Sequence, residues 1–295
     1  MQNIVEIKNR IKSVKETSQI TKAMELISVS KMRKSNDKYY KNTRYFHEVR
    51  EVMAGILDHK GDIFHPYFAE SCSGKSIYIV ISGDTGLAGE YNHRVLSYAE
   101  QTLKAVNGEK HIYAIGRIAR DRLNGVGFNV ESDFVGSAQN PSIEDARRIT
   151  AAVVNEYEKA GGLNAYLIYT AHGGKKNTAA VMRLLPILKS DFSDVEPKNR
   201  YYSELDFEPT PEQVFNLLVP QYILGLTYSC LVQAVMCEHM ERMEAMSSAT
   251  KNAGDMLDEL ELVYHRARQA QITTELTELT GGASERQTAK KPNQS

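Results

Sequence analysis

The chain has 295 residues, a net charge of −1 and three cysteines without a CxxC pair. This balance argues against nucleic-acid binding, which usually needs an excess of basic residues, and the cysteine pattern suits a reducing compartment and argues against a metal site. No segment approaches the roughly 18 consecutive apolar residues of a membrane span and no apolar signal-peptide core opens the chain, so we expect a cytosolic protein that partners could hold at a membrane.

The first predicted element is a long helix over residues 1–60. No proline occurs before Pro66, and proline costs a helix interior about 3 kcal/mol, so this charged stretch can stay helical throughout. The apolar residues that open it have the heptad spacing of a coiled coil: Ile4, Ile7, Ile11 and Val14. The pattern then blurs through Ile20, Met24 and Ile27, where small and polar residues interrupt the apolar run.

Residues 70–205 predict an α/β domain. Apolar runs rich in β-branched and aromatic residues predict strands at Ile77–Ser82, His111–Ile115, Ala165–Thr170 and Ala179–Leu188, the last broken by Pro186. Helical patterns fill the gaps at Gly89–Val106, Arg117–Leu123 and Ile143–Ala160. Because strands alternate with helices along the chain, we expect a Rossmann-like domain with a mostly parallel sheet.

A second long helix is predicted over residues 211–281, and no proline occurs between Pro220 and Pro292. Residues at alternating three- and four-residue steps form a heptad stripe along it: Met243, Met246, Thr250, Ala253, Leu257, Leu260, Tyr264 and Ala267. After Gly281 and Gly282 the sequence is polar and has no apolar periodicity. We therefore expect residues 282–295 to form a flexible tail.

The charges divide between the two long helices. Basic residues dominate positions 1–45, and acidic residues dominate positions 238–285. Opposite charges favour pairing of the two helices as a coiled coil, although each exposed ion pair adds at most about 1 kcal/mol. The alternative is that the two compositions belong to unrelated helix faces in contact with water.

Two glycine-containing segments are candidates for catalytic or ligand sites. Gly83–Gly89 follows the first predicted strand, where a phosphate loop would lie, but it has neither GxGxxG nor a GK[ST] ending. The segment His172–Lys175 has the glycines of an oxyanion loop, but no GxSxG nucleophile motif accompanies it. Both are better explained as tight turns, so we expect no catalytic, cofactor or metal site.

The two ends of the chain carry long, specific motifs. Three segments lie near the start: Ile7–Thr17, Ile20–Leu26 and Ser30–Lys34. Four segments lie near the end: Glu241–Met246, Ala249–Ala253, Leu260–Tyr264 and Arg266–Leu276. They strongly resemble the N- and C-terminal helices of the gamma subunit of F-type ATP synthases, and Gly83–Gly89 is similar to the family's turn after the first strand. The resemblance spans essentially the whole chain.

This resemblance implies a non-catalytic rotary shaft. In the family, the terminal helices form an antiparallel coiled coil that enters a hexamer of alternating alpha and beta subunits. The α/β domain lies outside the hexamer, beside the epsilon subunit and the membrane ring. A peripheral protein at the cytoplasmic face of a bacterial cell membrane is therefore expected, coupled to proton or sodium flow.

The resemblance also implies contact residues. Three basic residues of the first helix are expected to meet acidic loops of beta: Lys31, Arg33 and Lys34. Three residues of the second helix match family positions that contact the upper beta loops: Arg242, Arg268 and Gln269. Glu208 matches a position near the membrane ring, although Phe207 replaces the usual tyrosine before it.

Two other classes of protein fit parts of the sequence. One is a Rossmann-like nucleotide-binding enzyme that dimerises through its terminal helices, which would require binding of nucleotide by the isolated chain. The other is a coiled-coil scaffold whose basic first helix binds nucleic acid, which would show salt-dependent binding to duplex DNA.

Overall fold

The computed structural model describes residues 4–59, 66–68, 74–131, 138–160, 162–174, 176–195, 208 and 210–288. Two long helices, α1 (Ile4–His59) and α5 (Pro211–Thr288), bracket the other elements. The chain divides into two compact units, one formed by Met1–Leu26 with Glu244–Ser295 and the other by Ile27–Met243.

The central elements alternate as predicted. In chain order they are β1 (Lys75–Ile81), α2 (Tyr91–Ala105), β2 (Glu109–Ile115), α3 (Arg117–Gly125), β3 (Val130–Glu131), α4 (Ile143–Ala160), β4 (Asn164–His172) and β5 (Asn177–Leu185). Short 3-10 helices lie at Pro66–Phe68 and Lys189–Phe192.

The sheet has five strands in the order β3-β2-β1-β4-β5. Pairing is parallel except between β4 and β5, so the prediction of a mostly parallel sheet is confirmed. Sequence patterns did not predict the two-residue strand β3, and they extended β5 to Leu188, whereas it ends at Leu185. Pro186 has no N–H for a further ladder bond, which explains the earlier end of β5.

Strand β1 lies at the centre, and its alternate side chains enter two different cores. Ile77, Ile79 and Ile81 lie in the larger core, which also contains buried residues of α1, α4 and α5. Tyr78 and Val80 lie in the smaller core with residues of α2 and α3. The sheet is therefore covered on both faces, as expected for a parallel sheet.

In the same unit, α1 and α5 are antiparallel. The Tyr39 hydroxyl lies 3.4 Å from Nε2 of Gln233, whereas the Phe46 and Tyr222 rings lie 5.4 Å apart. Moving forward along α1 thus means moving backward along α5. Where Gly225 passes α1, an added Cβ would lie 2.5 Å from Cδ2 of Phe46, so this close helix approach requires glycine.

In the first unit, the heptad stripe of α5 is confirmed. Met246 and Ala253 are buried, and Leu257, Leu260, Tyr264 and Ala267 are half-buried among exposed neighbours. The stripe ends there, because residues 268–280 are all exposed. The helix itself continues past Gly281 to Thr288, beyond the predicted end; residues 289–295 of the predicted tail lie outside the described residues.

The corresponding stripe of α1 does not run where the apolar residues suggested. Ile20 and Ile27 are 60% and 56% exposed, whereas Thr21 and Ser28 are buried. The three- and four-residue spacing that starts at Ile7 therefore continues through small polar residues. Placing Ile20 and Ile27 in the stripe was wrong, because spacing outweighs hydrophobicity in deciding which residues face the second helix.

Among the described residues, one helix contains an 18-residue stretch apolar enough to cross a membrane by composition, with mean hydropathy 1.3. That helix is α5, and 56% of the stretch is buried inside the protein. Its buried side chains include Phe215, Val219 and Ile223 of the larger core. Packing against the sheet thus accounts for the apolar composition.

Candidate functional site

The turn after β1 is held by hydrogen bonds within the α/β unit. The Gly83 N–H donates to Oδ1 of Asn92 at 2.8 Å, and the Arg117 N–H donates to Oδ1 of Asp84 at 3.0 Å. Oγ of Ser82 accepts from the Ala119 N–H at 2.9 Å. These last two bonds join the turn to N–H groups in the first turn of α3.

The same turn contacts α5 through a buried arginine. Nη2 of Arg242 donates to the carbonyl oxygens of Thr85 and Gly86 at 3.4 and 3.2 Å, and to Oγ1 of Thr85 at 3.3 Å. Nη2 also pairs with Oε1 of Glu238 at 2.6 Å, and both side chains are buried. An added Cβ at Gly83 would lie 2.9 Å from that Oε1, so this glycine makes room for a helix side chain.

A second ion pair holds the neighbouring position of α5. Oε1 of Glu241 accepts from Arg94 of α2 at 2.7 Å and from Nδ2 of Asn177 of β5 at 3.3 Å. Arg94 also donates to the Asn177 carbonyl at 3.1 Å. Nδ1 of His172 lies 3.0 Å from Oδ1 of Asn177, so His172 has a local structural partner. Lys175 lies outside the described residues.

We call this region the α5 anchor: Glu238, Glu241 and Arg242 of α5 with Thr85, Gly86, Arg94 and Asn177. An apolar cluster lies beside it, formed by Ala88, Tyr91, Met236 and Cys237. Polar and apolar contacts from the turn, from α2 and from β5 thus converge on one short stretch of α5.

Burial dominates the electrostatics of the α5 anchor. It raises the pKa of Glu238, while the Arg242 charge acts in the opposite direction. Burial, with the charges of Arg242 and Lys31, lowers the pKa of His239 to about 4, so this ring is neutral near pH 7. Within the described part of the chain, Oε2 of Glu238 and Nε2 of His239 are buried without a hydrogen-bond partner.

The predicted contact residues lie in different environments. Arg33, Lys34, Glu208, Arg268 and Gln269 are exposed, and Lys31 is half-buried. Arg242 is 7% exposed and lies in the α5 anchor. The contact role assigned to each of these residues stays a prediction, and Arg242 has internal partners as well.

Sequence reasoning missed Glu238, Glu241, Arg94 and Asn177. Glu238 and Arg242 have the i,i+4 spacing of a helical ion pair, which was a usable signal. Nothing local in the sequence indicated which elements would face them. Gly83–Gly89 was correctly predicted as a turn.

A cleft of about 370 Å³ lies at the carboxyl ends of β1 and β2, where open α/β sheets often bind ligands. Asp84, Arg117 and Arg120 line it. Their charges have local partners, since Arg120 pairs with Asp121 at 3.1 Å and Nη2 of Arg117 donates to the Asp84 carbonyl at 3.4 Å. The described residues contain no group of three or more histidine, cysteine or acidic residues able to hold a metal ion.

Comparison with known families gives one match over almost the entire chain. A family model described as ATP synthase matches residues 3–285. The ATP synthase gamma chain of Acetivibrio thermocellus is 39% identical, covering 96% of this chain and 99% of its own. The gamma chain of Ruminiclostridium cellulolyticum is 37% identical, covering 96% and 98%.

Solved structures share the fold. A chain in the cryo-EM structure of the Euglena gracilis mitochondrial ATP synthase, comprising OSCP, F1 and c-ring, has a TM-score of 0.61 and 17% identity, covering 99% of this chain and 97% of that one. A chain in the central stalk and c-ring structure of the Tetrahymena thermophila enzyme has a TM-score of 0.54 and 19% identity, covering 78% and 99%.

Proposed function

This chain belongs to the family of ATP synthase gamma chains, and from that premise we propose that it is the central rotary shaft of an F-type ATP synthase. It couples proton or sodium flow through a membrane ring to ATP synthesis and hydrolysis in a hexamer of alpha and beta subunits. In this role the chain is a non-catalytic subunit, and the chemistry belongs to the hexamer.

The observation that supports this proposal best is the exposed end of α5. An antiparallel pair advances at the same rise along both helices, so the Thr21–Thr250 contact puts Ala267 level with Ile4. Residues 268–280 continue beyond that level and are exposed, including the apolar Ile272, Leu276 and Leu279. Helices in proteins depend mainly on packing, and exposed apolar faces indicate a partner. A surrounding ring of subunits supplies one.

The mechanism follows from asymmetry. A single shaft inside a ring of three alpha–beta pairs presents a different face to each beta subunit, so each nucleotide site is biased towards a different conformation. A shaft shifts those equilibria only through contacts that differ between the states, and the coupling acts in both directions. Rotation driven by ions therefore releases ATP, and ATP hydrolysis reverses the rotation.

Exposed charges suit a rotating contact. Arg33 and Lys34 are exposed and Lys31 is half-buried, so opposite charges on beta loops can attract them without deep interlocking. Exposed ion pairs are weak, about 0–1 kcal/mol each, which lets contacts exchange during rotation. Arg268 and Gln269, also exposed, are assigned to the upper beta loops.

The α/β unit is assigned to the membrane side. Glu208 is exposed before α5 begins, and it faces the ring in this arrangement, with the epsilon subunit beside the sheet. The chain is then a peripheral protein at the cytoplasmic face of the bacterial membrane, held there by its partners without inserting into lipid.

The test is an affinity purification of the tagged full chain from its own cells in mild detergent. Recovery of alpha, beta, epsilon and ring subunits with ATPase activity supports the proposal. A chain truncated after Ala267 should lose ATP synthesis, whereas one truncated after Thr288 should retain it. Recovery of the chain alone or as a soluble homodimer would contradict the proposal and favour the nucleotide-binding alternative, which equilibrium dialysis with ATP then tests directly.

A further inference from the structure

We propose that the α5 anchor fixes the angle of rotation of α5 about its own axis relative to the α/β domain. Glu241, Glu238 and Arg94 are then positioning residues that transmit torque between α5 and this domain. This proposal rests on the function proposed above. It concerns contacts within the unit Ile27–Met243 only.

The apolar contacts beside the anchor cannot set this rotation alone. Burial of Ala88, Tyr91, Met236 and Cys237 is favourable largely in proportion to the area covered and has no preferred direction. A helix held only in this way resists rotation through the loss of buried area, which sets no sharply defined angle for small rotations. Resistance to torque needs contacts with defined directions.

The polar contacts provide those directions. Hydrogen bonds weaken steeply as they are bent or stretched. Arg242 is directed at the Thr85 and Gly86 carbonyls, and Glu241 at Arg94 and Asn177. Because the partners belong to the turn after β1, to α2 and to β5, rotation of α5 in either sense disturbs several bonds together.

The cost of the buried charges supports a positional role. Removing an ion pair from water costs free energy that its attraction often fails to recover, so such pairs are weak evidence for stability. Here Glu238 is 1% exposed, and its Oε2, like Nε2 of His239, has no partner among the described atoms. An apolar pair of similar volume would stabilise the fold as well, but it would not define an angle.

The location of the anchor suits the transmission of torque along α5. Glu238, Glu241 and Arg242 are among the last residues of α5 before this unit ends at Met243. α5 leaves the unit at that point as a continuous helix. Any twist applied to the α/β domain and carried by α5 therefore passes through the anchored turn.

The experiment uses inverted membrane vesicles that contain the assembled enzyme. ATP hydrolysis and the ATP-driven membrane potential, followed with a potential-sensitive dye, are measured in the same vesicles, so either coupling ion is detected. The test variant is Glu241→Gln. The control is Glu100→Gln, which breaks a similar ion pair with Arg122 at 2.6 Å that joins α2 to α3 instead of α5.

Glu241→Gln should lower the initial rate of potential formation per ATP hydrolysed about fivefold, the lower end of typical coupling effects, whereas Glu100→Gln should leave it unchanged. The exchanged pair Arg94→Glu with Glu241→Arg should restore part of the loss. Because both signals are initial rates proportional to the amount of enzyme, their ratio is independent of how much enzyme assembles, so a merely structural role would lower both rates together and leave the ratio constant.

An unchanged ratio in Glu241→Gln, or an equal fall in Glu100→Gln, would overturn the proposal. If assembly of Glu241→Gln fails entirely, the same ratio is measured for Thr85→Val. This variant removes one hydroxyl contact to Arg242 and leaves every buried charge with its ion-pair partner. Failure of the proposed function is distinguishable, because vesicles containing the unaltered chain would then show no ATP-driven potential that depends on it.

Discussion

The side-chain oxygens of Thr21 and Thr250 lie 2.8 Å apart between α1 and α5. Each hydroxyl also lies close to a carbonyl of its own helix, Ser18 at 3.0 Å and Met246 at 2.8 Å. A hydrogen-bonded polar pair inside the helix interface favours one register, because any slip separates the two hydroxyls.

Replacing either threonine alone should destabilise the chain. Thr21→Val or Thr250→Val leaves one hydroxyl without its partner and should lower the free energy of unfolding by about 1 kcal/mol, whereas the double variant should be close to neutral. Urea denaturation followed by circular dichroism measures this. Thr277→Val, at an exposed position with the same kind of bond to its own helix, is the control. Additive effects of the two changes would show that the hydroxyls do not interact.

Two glycines of α5 should respond in opposite directions to alanine. Gly225→Ala places a Cβ 2.5 Å from Cδ2 of Phe46 and should cost about 1–3 kcal/mol of stability. Gly254→Ala meets nothing within 4 Å and should stabilise the helix by about 0.8–1 kcal/mol. Thermal unfolding of both variants is the measurement. Phe46→Leu should recover part of the loss at Gly225; equal melting temperatures for the two alanine variants would contradict the steric explanation.

Acidity should stabilise the pairing of β2 with β3. The pKa of His111 is raised, chiefly by its 2.9 Å hydrogen bond to Glu131; burial opposes this, and the charges of Glu131 and Glu109 add to the rise. A raised histidine pKa contributes stability below the unfolded value of 6.5, and this contribution is lost as pH rises through the folded value.

The amide protons of Val130 and Glu131 should therefore exchange faster, relative to the unfolded chain, at about pH 8.5 than at about pH 5.5. His111→Gln should remove this difference while keeping a hydrogen-bonding side chain. The same pH dependence in His111→Gln would assign the effect to other groups.

Removing Arg242 alone should be costly. Arg242→Met leaves the buried Glu238 carboxylate without its ion-pair partner, which should lower stability by about 3–5 kcal/mol. Burial already raises the pKa of Glu238, and without Arg242 only the weaker effect of the Lys31 charge opposes it, so the stability of this variant should fall as pH rises above 4.5 towards the folded pKa. The double variant Glu238→Leu with Arg242→Met should recover most of the loss in urea titrations. A double variant as unstable as the single one would show that the charge pair is not the cause.

Periodicity predicted the fold better than residue type did. The α5 stripe from Met246 to Ala267 was readable because burial of one face imposes the spacing. The α1 stripe was misplaced at Ile20 and Ile27 because the buried positions there are Thr21 and Ser28, which give no apolar signal. Ile20 and Ile27 are exposed instead.

The α5 anchor could not be predicted, because its partners come from distant parts of the chain. Arg242 and Thr85 are 157 residues apart, and Glu241 and Arg94 are 147 apart. The sequence shows the charged residues and the glycine-containing turn. Only the packing of the sheet determines which of these groups contact each other. The short strand β3 was missed for a different reason, since two residues carry no measurable alternation.

The joining of the first and last helices has a consequence for synthesis on the ribosome. Thr21 and Thr250 are 229 positions apart, and at about 5–20 residues per second the second appears roughly 10–45 s after the first. During that interval α1 has no α5 to cover Val49 and Met53, which are buried with α5 residues in the larger core. The nascent chain therefore exposes the buried apolar residues of α1 until the larger-core residues of α5 have been made, and holding chaperones should bind it at those residues.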